Sequence, residues 1–196
     1  MTSSSNPQAE RGLDAMLIVY SLLNGHPAST VCEEFIRNHT GWFTTTFTIF
    51  EARAILAKVY GVDAALTSQK MAQFVAGPVD VIAVDLATAL AAMNMAHAMR
   101  IDLTDAVLLH TALARGAPCL ATDDSRLMQA CHQVGIAPES PIDATLRQSM
   151  AVWENANVPA KGLPRVLHEI HHWLNQTHPQ AAQDFWSQTA EGSHLP

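Results

Sequence analysis

LTDAVLLHTALARGAPCLATDDSRL, residues 103–127, is the stretch whose reading decides the fold. Leu103 to Arg115 is apolar with helical length. Gly116 follows a basic residue, as at a helix C-terminus. PCLAT (118–122) is short, apolar and bounded by turn residues, which reads as a buried strand. From Asp124, DSRLMQACHQVG returns to a helix that Gly135 closes. Helix, short apolar strand, helix is the unit of a parallel sheet covered on both faces. In such sheets ligands bind beyond the carboxyl ends of the strands, and this strand ends on Thr122, Asp123 and Asp124.

The same grammar extends outward. GLDAMLIVYSLL (12–23) gives the end of a short strand, then a helix. Asn24-Gly25-His26-Pro27 breaks it, and Pro27 suits the first turn of a helix running to about Asn38. WFTTT (42–46) is aromatic and β-branched, hence a strand. Helices are expected over about 48–60 and 63–75, a strand at DVIAV (80–84), and a helix over LATALAAMNMAHAMR (86–100). From about Pro138 strand signals stop. PAKGLP (159–164) reads as a linker before two helices at about 165–176 and 180–190. The expected organisation is a disordered leader at 1–10, an α/β domain at 11–140 and a C-terminal helical extension at 141–196.

Composition bounds the rest. The chain has 196 residues, 48% hydrophobic and 15% charged, which suits one well-cored domain with a tail. The formal net charge of −7 argues against a general nucleic-acid coat. A local basic rim is compatible with it, and Arg11, Arg53, Lys58, Arg100, Arg115 and Arg126 all lie near acids in sequence. Cys32, Cys119 and Cys131 are odd in number and sit in apolar company, as reduced buried thiols do. Met16–Leu23 is too short to span a bilayer. The reading is of a soluble, cytoplasmic protein with no membrane partner.

Four acids stand at the edges of four apolar segments: Asp14, Glu51, Asp105 and Asp124. Desolvating a carboxylate alone is costly, whereas several together make a hard oxygen site for Mg²⁺ or Mn²⁺. Such an ion activates water and neutralises charge in phosphodiester hydrolysis. Each acid also has a structural alternative. Asp14 and Asp124 suit helix N-caps, Asp105 a first-turn position favoured by the helix dipole, and Glu51 a solvated helix face. Asp85, after a strand, reads as a cap.

Residues 12–128 resemble the PIN domain, the metal-dependent nuclease family that includes VapC-type toxins of bacterial toxin–antitoxin pairs. GLDAMLIVYSLL matches the first-acid motif, TFTIFEARAILAKVYG (46–61) the second, and LTDAVLLHTALARGAPCLATDDSRL the third and fourth. Ala15 departs from the small polar residue usual after the first acid. The resemblance implies a PIN-like three-layer fold, a short parallel sheet flanked by helices. It implies Asp14, Glu51, Asp105 and Asp124 as catalytic metal ligands for Mg²⁺ or Mn²⁺. Thr122 would support the acid after it, and Asp102 and Asp123 are neighbouring carboxylates able to exchange roles with Asp105 and Asp124. It further implies an endoribonuclease with an RNA substrate, a homodimer and an antitoxin protein partner. The alternative is a PIN-like binding module without catalysis.

A competing motif lies in the tail. His168-Glu169-Ile170-His171-His172 fits the zinc-protease helix signature H-E-x-x-H, with His178 at a third-ligand spacing. Only eighteen residues follow His178, none of them Met, and no sequence remains for a substrate-binding sheet. An amphipathic surface helix is the expectation there, ahead of a zinc metallopeptidase.

Overall fold

The computed structural model describes residues 10–158 and 165–192, the side chains at 155, 165–169 and 189–192 apart. Five strands form one parallel sheet in the order β3-β2-β1-β4-β5: β1 (Arg11–Leu13), β2 (Trp42–Thr45), β3 (Asp80–Ile82), β4 (Cys119–Ala121) and β5 (Ala137–Glu139). The helices between them are α1 (Ala15–Leu22), α2 (Ser29–Asn38), α3 (Thr46–Lys58), α4 (Ala64–Val75), α5 (Leu86–Met99), α6 (Leu103–Arg115) and α7 (Ser125–Gln133). After β5 come α8 (Ala144–Asn157), α9 (Arg165–Thr177) and α10 (Pro179–Gly192).

The sheet is covered on both faces, as its apolar strands require. One buried cluster joins Leu13, Trp42 and Ala121 to Leu17, Ile18, Ala52 and Leu56. The other joins Phe43 and Leu120 to Val107, Leu108, Leu109, Leu127 and Cys131. Neighbouring strand residues fall in opposite clusters, which is the period-two alternation of a sheet between two helical layers. Gly12 permits a close approach inside the second cluster, since a Cβ there would meet Leu120 Cγ at 3.1 Å. Gly116 caps α6 with φ 65°, the left-handed conformation that leads the chain into β4.

The three-layer α/β fold expected from the sequence is present. One element contradicts the reading of the C-terminal half. Strand signals do not stop at Pro138, because Ala137–Glu139 pairs in parallel with Cys119–Ala121. Pro138 lies on an edge strand, where its missing N–H need not serve a second neighbour. The chain divides into two compact units, residues 1–150 and 151–196. The first therefore extends past 140: Ile142 and Met150 are buried in the first cluster, with Leu146 packed against it. In the second unit α9 packs on α10. Most of the expected leader and all of the 159–164 linker lie outside the described residues. Glu10, at the leader's end, pairs with Arg115 at 2.6 Å. No helix among the described residues is long and apolar enough to cross a membrane.

Candidate metal centre

The carboxyl ends of β1, the central strand, and of its neighbour β4 lead into the first and fourth acids, Asp14 and Asp124. Asp14 follows β1, and its backbone N–H continues the ladder to Ala121 O at 3.0 Å. The Asp14 side chain is buried at 4% exposure. Its Oδ1 accepts the Ala15 N–H at 2.5 Å and its Oδ2 the Thr122 hydroxyl at 2.8 Å. Thr122 Oγ1 in turn accepts the Asp124 N–H at 3.0 Å, so one fully buried hydroxyl ties the first acid to the fourth. Asp124 caps α7, with Oδ1 accepting the N–H groups of Arg126 and Leu127 at 2.7 and 2.9 Å. Asp14 and Asp124 are thus both N-caps. Each keeps lone pairs in excess of its cap bonds, so capping and metal ligation do not compete for the same electrons.

Glu51 lies on α3, which packs against α6, and Thr104 hydrogen-bonds its carboxylate. Thr104 was not singled out from the sequence; its position beside Asp105 was the available signal. Asp105 sits in the first turn of α6, partly buried. Its carboxylate has no hydrogen-bond or ion-pair partner among the described residues.

The electrostatics show that these acids share one environment. Burial pushes Asp14 up to about 6, with Glu51 and Asp124 adding repulsion and Thr122 opposing it. Burial likewise raises Glu51, against the Thr104 hydrogen bond and with repulsion from Asp102. Asp105 is raised to about 8, first by burial and then by the charges of Asp14, Glu51, Asp124 and Asp102. The other three expected acids, and Asp102, are therefore within electrostatic reach of Asp105. Asp102 starts α6 as an exposed residue without a side-chain cap bond. Asp123 is turned elsewhere: both its oxygens accept from Arg147, at 2.6 and 2.9 Å, and Ser140 adds a third bond.

Among the described residues, no three His, Cys, Asp or Glu side chains stand as a ready-made metal shell. The mutual repulsion around Asp105 and the absence of a closed shell bear on different chemistry. A closed cage suits zinc or calcium. Mg²⁺ keeps several of its waters and takes one or two carboxylates directly. Asp14, Glu51 and Asp105 are oxygen-only donors, each raised first by burial, and oxygen donors are the hard ligands that divalent cations of this class take.

The basic rim expected from the sequence is only partly there. Arg11 pairs with Glu139, and Arg115 with Glu10 and Asp80 while lying over the Phe43 ring at 5.2 Å. Arg53, Lys58, Arg100 and Arg126 have no ion-pair partner among the described residues. In the tail, His172 Nε2 lies 2.9 Å from the Gln176 amide nitrogen, and His178 stands edge-on to Trp173. The side chains of His168 and Glu169 lie outside the described residues.

Residues 13–133 match the PIN domain family model, and the chain belongs to that family. PIN domain proteins are in general nucleases. Among solved structures, similarity extends to the Mycobacterium tuberculosis toxin VapC20, described as sarcin–ricin loop cleaving. It is 12% identical with a TM-score of 0.56, over 62% of this chain and 95% of that one. VapBC2 from Rickettsia felis, solved bound to a DNA fragment from its promoter, is 14% identical with a TM-score of 0.49, over 66% and 97% of the two chains. PAE2754 from Pyrobaculum aerophilum is 22% identical with a TM-score of 0.49, over 73% and 96%. No curated protein sequence matches the chain.

Proposed function

We propose that this protein is a metal-dependent endoribonuclease in which Asp14, Glu51, Asp105 and Asp124 hold Mg²⁺ or Mn²⁺. The observation that carries this is Asp105: a partly buried carboxylate with no partner, raised to about 8 amid four other acids. A group in that state costs folding free energy unless a cation neutralises it. When bound, the ion supplies an activated water for in-line attack on phosphorus and neutralises the leaving oxygen.

The chain's own residues do the remaining work. Thr122 fixes the carboxylate plane of Asp14 and the backbone that presents Asp124. Thr104 sets Glu51 from the facing helix. Asp102, open to solvent at the start of α6, is a supporting acid. Asp123, held by Arg147, anchors the loop after β4 rather than joining the site. RNA as substrate rests on the resemblance of the three site motifs to PIN nucleases, and VapC20, with the same fold, is named for cleaving the sarcin–ricin loop. A protein antitoxin partner and a homodimer rest on the same resemblance. An apolar stripe on α5, Leu86, Leu90 and Met93, exposed at 74, 53 and 54%, supports the homodimer reading.

Cleavage of a defined RNA in Mn²⁺, compared with the same reaction in excess chelator and with Asp105→Asn, tests the proposal. Metal-dependent cutting by the wild type alone is expected. Equal cutting by wild type and variant would overturn it.

A further inference from the structure

Beside the acids lies a cleft that the hydrolytic chemistry does not use. Its volume is about 610 Å³, in the range of small-ligand sites. It runs between the C-terminal end of α5 and one face of α7, and Met99, Arg100, Arg126, Gln129, Ala130 and Gln133 are among its lining residues. Arg126, Gln129 and Gln133 recur at helical spacing, so α7 turns a continuous polar stripe into it. Arg126 joins this cleft to the acids, because its backbone N–H donates to Asp124 Oδ1 at 2.7 Å.

Three observations point to an anionic ligand. First, Arg100 and Arg126 converge here although the chain carries a net charge of −7. Second, neither has a carboxylate partner among the described residues, which they share with Arg53 alone of the described arginines, whereas Arg11, Arg37, Arg115 and Arg147 are paired with acids. Third, Arg100 is the one non-glycine with positive φ among the described residues, at φ 56°, ψ 42°. It occupies the C-cap of α5, where glycine is favoured and an L side chain is strained. A long cationic side chain in a glycine position is unexplained by the cap itself, which uses only the backbone N–H to Ala96 O.

We propose that this cleft takes the RNA strand next to the scissile phosphate: Arg100 and Arg126 grip a neighbouring backbone phosphate, and Gln129 and Gln133 contact the adjoining base. Guanidinium forks match phosphate oxygens bidentately. Glutamine amides carry the donors and acceptors that an unpaired base edge presents. The two arginines thus set affinity and position, and the two glutamines set sequence preference. This rests on the ribonuclease reading, which it deepens by placing the strand.

The test uses the full chain and a fluorescent single-stranded RNA. Binding is followed by anisotropy over a salt series in the Asp105→Asn background, and cleavage in the wild-type background. Arg100→Gln and Arg126→Gln should each weaken binding about tenfold. Each should also reduce the slope of log affinity against log salt by about 0.7. In cleavage they should raise KM more than they lower kcat. Gln129→Ala with Gln133→Ala should leave the salt slope alone and shift the cleaved sequence. Arg37→Gln, at a residue paired with Glu33 and Glu34 on its own helix α2, is the control and should change nothing. Unchanged affinity and slope in the Arg100/Arg126 double variant, while the wild type still cuts RNA, would overturn the cleft and leave the nuclease reading standing. A wild type that neither binds nor cuts RNA would overturn both.

Discussion

Replacing Asp105 by Asn should stabilise the metal-free protein while abolishing its activity. The carboxylate is raised to about 8 by burial and by four neighbouring acids, and an unfolded aspartate titrates near 3.9. Between those values the native state binds more protons than the unfolded one, so stability falls as pH rises across that window. The whole gap at about 1.36 kcal/mol per unit sets a ceiling of roughly 5–6 kcal/mol. Asp105 is partly open to solvent, where the effective dielectric is nearer 20 than 4, and about 1–3 kcal/mol is the expected gain. The helix dipole opposes it, since α6 loses a first-turn acid worth about 0.3–1 kcal/mol. The net effect stays stabilising. Thermal melts in excess chelator should show the variant melting several degrees above wild type at pH 8, with the difference closing toward pH 4. Millimolar Mn²⁺ should raise the wild-type midpoint and narrow the gap. A variant less stable than wild type at pH 8 without metal would refute the electrostatic argument.

Thr122→Val should cost about 1–3 kcal/mol, because it removes the donor to Asp14 and the acceptor for the Asp124 N–H at a fully buried position; denaturant midpoints and the rate of RNA cleavage should fall together. Replacing His168, His172 and His178 together with Gln should leave Mn²⁺-dependent cleavage unchanged, whereas lost cleavage would bring the tail into the mechanism. Leu90→Glu should shift sedimentation from dimer to monomer; an unaltered distribution would move the homodimer interface off α5.

Residues 103–127 were the most legible part of the chain because local signals agreed there. The apolar run, Gly116 and the short strand all specify the same geometry. Asp14 and Asp124 stand where β1 and β4 pass into helices and Asp105 in the first turn of α6, positions readable from local signals, whereas Glu51 lies inside α3. β5 was not, since Pro138 reads as a breaker and only its edge position makes it tolerable. α8 was missed because Met150 and Leu146 find their cover only in the folded domain. Thr104 is visible as a partner of Glu51 only once α3 and α6 pack together. The sequence also could not divide the arginines. Arg11 and Arg115 are committed to ion pairs with residues distant in the chain, and of the unpaired arginines Arg100 and Arg126 line the cleft.

The most direct test of the metal centre is anomalous diffraction from crystals of the full chain soaked in Mn²⁺. A peak with oxygen ligands from Asp14 and Asp105, and with Glu51 and Asp124 bound directly or through water, is the expected result. A peak on the tail histidines alone, or none among the acids while the wild type still cuts RNA, would contradict the account.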